Sequence, residues 1–194
     1  MFEGSKELYK GVYLYENFLS NEENLEMISM IKSVQEDSWK KVGNAENAIF
    51  VLATPIVEPL RLKVNSICPE GLDVVYNSVV NKLIEGITYG EHKDTNNSQE
   101  MLKLSKEYKE GDDFVIGNYP TFGIVYYFND DYEKGEIFYP EIGIKHKPKP
   151  GDLVVHEADI LHGTEPPING IRYSYTAAIT KKIKMKKWAL IFQI

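Results

Sequence analysis

The feature that most constrains how this chain can fold is the rhythm of its second half, where short β-prone runs alternate with strong turn signals. Residues 122–128 (FGIVYYF) are aromatic and β-branched, which suits a pleated, half-buried surface, and Asn129, Asp130 and Asp131 end the run. Alternation puts Phe122, Ile124, Tyr126 and Phe128 on one face and Gly123, Val125 and Tyr127 on the other. Residues 136–139 (EIFY) stop at Pro140, and the turn cluster 148–152 (PKPGD) precedes the apolar run 153–156 (LVVH). After Pro166, Pro167, Asn169 and Gly170 comes another β-prone run over 172–180. Short strands at this spacing predict an antiparallel sandwich or barrel.

The first half carries helix signals. Ser20 and Glu23 form an S-x-x-E capping box, and Leu25, Ile28, Ile31 with Met27, Met30, Val34 recur at three- and four-residue steps. That pattern predicts an amphipathic helix near 21–36. Thr54 before Pro55 suits an N-cap followed by proline in the first turn and predicts a second helix over 55–68. Residues 98–108 can form a short helix ending at Gly111, inside a polar stretch over 95–119 that otherwise reads as a long surface loop. The expected fold class is mainly β with flanking α. No repeat or low-complexity linker divides the chain, so one domain over 1–194 is expected, with helical support to about 85 and a β core from about 86.

Composition narrows the function. The 194 residues are 43% hydrophobic and 26% charged, which argues against disorder. A net charge of −7 makes a poor general binder of nucleic acid or anionic membrane. The lysine-rich run 181–187 reads as a solvated strand edge, where lysines block unwanted pairing. A single cysteine, Cys68, excludes an intrachain disulfide, and among Val64, Ile67 and Leu72 it reads as a small core hydrophobe. The start lacks a secretory apolar region, and no run approaches the roughly 20 apolar residues of a membrane span. A soluble, cytoplasmic protein is the expectation.

The chemistry concentrates on a few residues. His92 and Asp94 stand two apart, a spacing that on a strand points both side chains one way. H-x-D alone is weak. His162, following the apolar run 153–156, supplies a second imidazole, and two histidines with one carboxylate can bind a non-haem ferrous ion while leaving positions open. Such a set gives the ion one unit of compensating charge, so an anionic co-substrate is still welcome. Arg172, on the next predicted strand, has a fork that matches a carboxylate, and Ser174 two residues on faces the same way. His156 lies on a strand and reads as a core or supporting histidine, while His146 among lysines and prolines reads as exposed.

The segments YGEHKD (89–94), GIVYYFNDDYEKGEIFYPE (123–141), KPKPGDLVVHEADILHGTEP (147–166) and NGIRYSY (169–175) stand in the order and spacing of a known family. Together they resemble the 2-oxoglutarate- and Fe(II)-dependent oxygenases of the prolyl 4-hydroxylase-like type. The resemblance covers roughly half the chain, and the front half matches only in general character. It implies a double-stranded β-helix, or jelly-roll, with the metal between two sheets. It implies that His92, Asp94 and His162 hold Fe(II), and that 2-oxoglutarate places its far carboxylate against Arg172, Tyr127 and Ser174. Tyr89 and Ile137 match positions that line the pocket. His156 stands where an aromatic is common, and Lys93 and residues 113–121 depart from the family pattern.

The resemblance further implies hydroxylation of an unactivated C–H, with O2 consumed, succinate and CO2 released, and ascorbate as a candidate reductant. Asp94 favours hydroxylation, since Gly or Ala there would free a position for halide. A prolyl residue in a peptide or protein is the first-choice substrate, and a free amino acid or other small molecule the alternative. Two rivals differ in class. A non-catalytic jelly-roll binding module would have no reason to keep His92, Asp94, His162 and Arg172 together. A cupin-type metalloenzyme without 2-oxoglutarate would not need Arg172 with Ser174.

Overall fold

The computed structural model describes residues 2–42, 49–52, 55–74, 79–95 and 120–181. Thr54, the expected helix over 98–108 with most of its polar surroundings, and the lysine run beyond Lys181 lie outside them. In chain order the strands and helices are β1 (Lys6–Tyr9), β2 (Val12–Tyr15), α1 (Asn21–Lys32), β3 (Lys40–Val42), β4 (Ile49–Leu52), α2 (Glu58–Ser66), β5 (Leu72–Val74) and β6 (Val79–Leu83). There follow β7 (Phe122–Tyr127), β8 (Glu133–Lys134), β9 (Ile137–Tyr139), β10 (Ile144–His146), β11 (Leu153–Glu157), β12 (Gly163–Thr164), β13 (Pro167–Ile168) and β14 (Arg172–Lys181). Among the described residues no helix is long and apolar enough to cross a membrane.

The expected β-runs are present within a residue or two of their predicted ends. They assemble into a large antiparallel sheet in the order β1-β2-β11-β7-β14-β6-β4-β3, with β5 beside the far end of β14. A three-stranded sheet, β10-β9-β12, and a β8–β13 pair make up the rest. The front half is less helical than expected. It contributes six strands to the large sheet, and β2 and β6 pair directly with β11 and β14. Those strands are three to five residues long, too short to outcompete the helix signals beside them.

The helices follow their local chemistry. Ser20 Oγ accepts from the Glu23 N–H and Glu23 Oε2 accepts from the Ser20 N–H, so the capping box forms. Helix α1 stops at Lys32, short of the expected 36, and buries Asn24, Met27, Ile28 and Ile31 while Leu25 faces solvent. The second helix is a 3-10 turn over Pro55–Val57 followed by α2, ending at Ser66. Cys68 packs against the core as expected.

Alternation along the strands splits the interior in two. Ile124, Tyr126 and Phe128, with Leu153, Val155, Tyr173, Tyr175 and Ile179, pack with α1 and α2 residues on the outer face of the large sheet. Val12, Leu14, Val125, Tyr127 and Val154 on its inner face pack with Ile137 and Tyr139 of the small sheet. The two sheets thus close over a second, smaller core. This is the jelly-roll arrangement, and it puts the inner-face polar residues of β7, β11 and β14 beside the small sheet.

Candidate functional site

Residues 89–95 run antiparallel to 158–164 without forming a strand. The His92 N–H donates to the His162 carbonyl at 2.8 Å and the His162 N–H to the His92 carbonyl at 3.0 Å, an isolated bridge between the two histidines. The Thr95 and Thr164 N–H groups extend the contact to the carbonyls of Ala158 and Tyr89. His92 and Asp94 therefore share no strand face as their spacing suggested. Asp94 lies in the turn after the bridge. The backbone pairing, rather than strand alternation, brings the three side chains together.

Their orientation is fixed from behind. His92 Nδ1 lies 2.8 Å from the Gly90 carbonyl and His162 Nδ1 3.0 Å from the Ile160 carbonyl. A carbonyl only accepts, so each Nδ1 donates and each Nε2 is left with its lone pair. Asp94 Oδ1 is 3.6 Å from His92 Nε2 and 3.9 Å from His162 Nε2. The three ligand atoms lie within 4.8 Å of one another, so one divalent ion could touch all of them. Burial, with the neighbouring His156 adding to it, pushes the His162 imidazole down to about 3, which keeps it unprotonated and able to bind a metal. Burial opposes ionisation of Asp94 too, but the hydrogen bond from His156 and the nearness of His92 and His162 outweigh it and hold the carboxyl well below its usual range.

Beside this cluster lies a group of buried donors. A cleft of about 220 Å³ is lined by Tyr89, His92, Asp94, Ile137, His162 and Arg172, among others. Arg172 is 1% exposed and donates from Nη1 to the Gly135 carbonyl at 3.0 Å. Its Nε has no partner among the described residues, and none of the ion pairs there includes it. Tyr127 OH and Ser174 Oγ are also buried without partners among the described residues, and the two residues are directly opposed across β7 and β14. Arg172 sits against the Tyr127 ring, its Cζ 5.6 Å from the centroid. Burial pushes the Tyr127 hydroxyl up to about 12, so it remains a donor at neutral pH. Buried donors without acceptors are costly, and a buried cation more so. A carboxylate-bearing ligand would satisfy all three.

Tyr89 and Ile137 line the cleft as expected, but the Tyr89 hydroxyl is engaged, donating to Asn81 Oδ1 at 2.7 Å. Asn81 in turn donates to Thr176 Oγ1 at 2.8 Å. Sequence reasoning missed this pair. Thr176 was within reach, because it continues the Arg172, Ser174 alternation. Tyr132 was also missed, and its buried hydroxyl has no partner among the described residues. His156 is 1% exposed and supports Asp94 rather than joining the ligand set. His146, expected to be exposed, is partly buried and lies 3.3 Å from Asp152. Lys93 pairs with Glu141 at 3.6 Å.

No protein-family model and no curated protein matches the sequence. Solved structures do resemble the fold. A prolyl-4-hydroxylase of Pseudomonas putida matches with a TM-score of 0.62 at 16% identity, over 89% of this chain and 94% of its own. A Trichoplax adhaerens prolyl hydroxylase, in complex with a hypoxia-inducible-factor peptide, matches with a TM-score of 0.62 at 16% identity over 94% and 88%. The α-ketoglutarate-dependent epimerase SnoN of nogalamycin biosynthesis matches with a TM-score of 0.62 at 12% identity over 88% and 78%. With its facing antiparallel sheets and inner-face cleft, this chain has the fold of the 2-oxoglutarate–Fe(II) oxygenases in its prolyl 4-hydroxylase-like form.

Proposed function

We propose that this chain is an Fe(II)- and 2-oxoglutarate-dependent dioxygenase that hydroxylates an unactivated C–H bond. One juxtaposition supports the reading: a two-histidine, one-carboxylate cluster opens on the same cleft as a buried guanidinium that has no acid partner among the described residues. When bound, iron with 2-oxoglutarate and O2 would supply the oxidising chemistry, with one oxygen atom for the substrate and one for succinate as CO2 is lost. His92, Asp94 and His162 would hold the iron. Arg172 would pair with the far carboxylate of 2-oxoglutarate, and Tyr127 and Ser174 would donate to it. Ile137 and Val125 keep the wall of the cleft apolar. Ascorbate would serve to keep the iron reduced.

A prolyl residue in a peptide is the first-choice substrate. Two of the matching structures are prolyl hydroxylases, one holding a peptide. A small-molecule substrate is the second reading, favoured by the equal structural similarity of an epimerase from antibiotic biosynthesis. The test is succinate formation from 2-oxoglutarate with Fe(II), ascorbate and a panel of proline-containing peptides and free amino acids, with Asp94→Ala as control. Succinate above the control is expected, and the substrate that raises it most identifies the class. No succinate above the control, with iron bound, would overturn the oxygenase reading and leave a binding module.

A further inference from the structure

Strand β11 brings a third histidine to the cluster. His156 Nε2 lies 3.3 Å from Asp94 Oδ2, whereas Oδ1 is the oxygen nearest the His92 and His162 Nε2 atoms. Its Nδ1 lies 3.2 Å from the Tyr139 hydroxyl. A carboxylate only accepts, so Nε2 carries the proton, and Nδ1 then accepts from the Tyr139 O–H. The hydrogen bonds run one way, from Tyr139 through His156 to Asp94. The backbone is shaped around this contact. Gly123 is directly opposite His156 in the β7–β11 register, and a Cβ there would overlap both Asp94 Oδ2 and His156 Nε2. The only side chain that leaves the Asp94–His156 bond its space is therefore hydrogen.

Resting on the iron reading, we infer that His156 is a positioning residue that occupies Asp94 Oδ2 so that the carboxylate offers the metal Oδ1 alone. The consequence concerns coordination. Six-coordinate iron held by three single-atom ligands keeps three positions, two for a chelating oxo-acid and one for O2. A carboxylate free to swing and chelate would close one of them. Tyr139 fixes the His156 tautomer, and Gly123 supplies the room. The pair Gly123 and His156 thus act on the metal through Asp94 without touching it.

The test is anaerobic titration of the apoprotein with Co(II) or Fe(II), with the visible spectrum of the Co(II) form as a report on coordination. His156→Phe should weaken metal binding about 10- to 100-fold, the range for losing a partner of a metal ligand, and should alter the Co(II) spectrum. His156→Gln, whose amide N–H reaches as far as Nε2, should recover most of the affinity and the wild-type spectrum. His156→Asn, too short to reach Asp94, should not. The Gln and Asn pair carries the comparison if His156→Phe does not fold. Gly123→Ala should reproduce the His156→Phe defect from the opposite strand. Wild-type binding with unchanged affinity and spectrum in His156→Phe or His156→Asn would overturn the positioning role alone. Absence of metal binding by the wild-type protein would overturn the iron reading, and the role with it.

Discussion

Tyr126 and Tyr127 are neighbours on one strand and live in opposite circumstances. Tyr126, on the outer face, donates to Asn24 Oδ1 of α1 at 2.7 Å, and Asn24 passes its own amide N–H to the Phe128 carbonyl at 2.9 Å. Tyr127, on the inner face, is equally buried, yet its hydroxyl meets no acceptor among the described residues. The contrast extends along the sheet. Outer-face Leu153, Val155 and Tyr173 pack in the apolar core, whereas Arg172 Nε and Ser174 Oγ on the inner face meet no acceptor among the described residues. On the outer face Tyr126 finds its acceptor within the fold. The inner face holds donors that meet no acceptor among the described residues, and the proposed ligand would supply one.

The largest effect that can break this comparison is at Arg172. Arg172→Ala should weaken 2-oxoglutarate binding by about 2–5 kcal/mol, the scale for truncating one member of a buried charge pair. Anaerobic titration with Mn(II) in place of iron measures it, and an unchanged dissociation constant would mean the guanidinium serves something else. The adjacent tyrosines give the sharper contrast. Tyr127→Phe should weaken 2-oxoglutarate by about 1.5–3 kcal/mol, the value of a hydrogen bond to a charged group. Its apo stability should stay within about 0.5 kcal/mol of wild type, since no internal bond is lost. Tyr126→Phe should do the reverse. It strands the Asn24 amide oxygen, costs about 1–3 kcal/mol of stability by denaturant melts, and leaves 2-oxoglutarate affinity alone. If both tyrosines behaved alike, the two faces would not differ as described. The smallest effect is the N-cap of α1, where Ser20→Ala should cost about 1 kcal/mol of stability with no change in ligand binding.

What could be read from the sequence differs between the two faces in the same way. Alternation along 122–128 sorts its residues onto the faces where they are found, because burial on both sides leaves no freedom of register. Arg172 and Ser174 were legible for the same reason. His92 and Asp94 were singled out by a spacing argument that does not describe them. They meet through a turn and a bridge to His162, pairings across 70 residues of chain that no local pattern encodes. Asn81 escaped notice because its partners, Tyr89 and Thr176, come from two other segments of the chain. His146 looked exposed among lysines and prolines, yet the turn that follows folds Asp152 back onto it. Leu25 fitted a periodic pattern but falls on the solvent side of α1, where three- and four-residue steps serve two neighbouring stripes.

The central claim is that the inner face is a shared site for a ferrous ion and 2-oxoglutarate. Its most direct test is anaerobic calorimetric titration of the purified chain with 2-oxoglutarate, with and without Fe(II). The account predicts one equivalent bound in the presence of iron, much weaker binding without it, and loss of binding in both Arg172→Ala and Asp94→Ala. No binding with iron present, or binding indifferent to Asp94 and Arg172 alike, would contradict it.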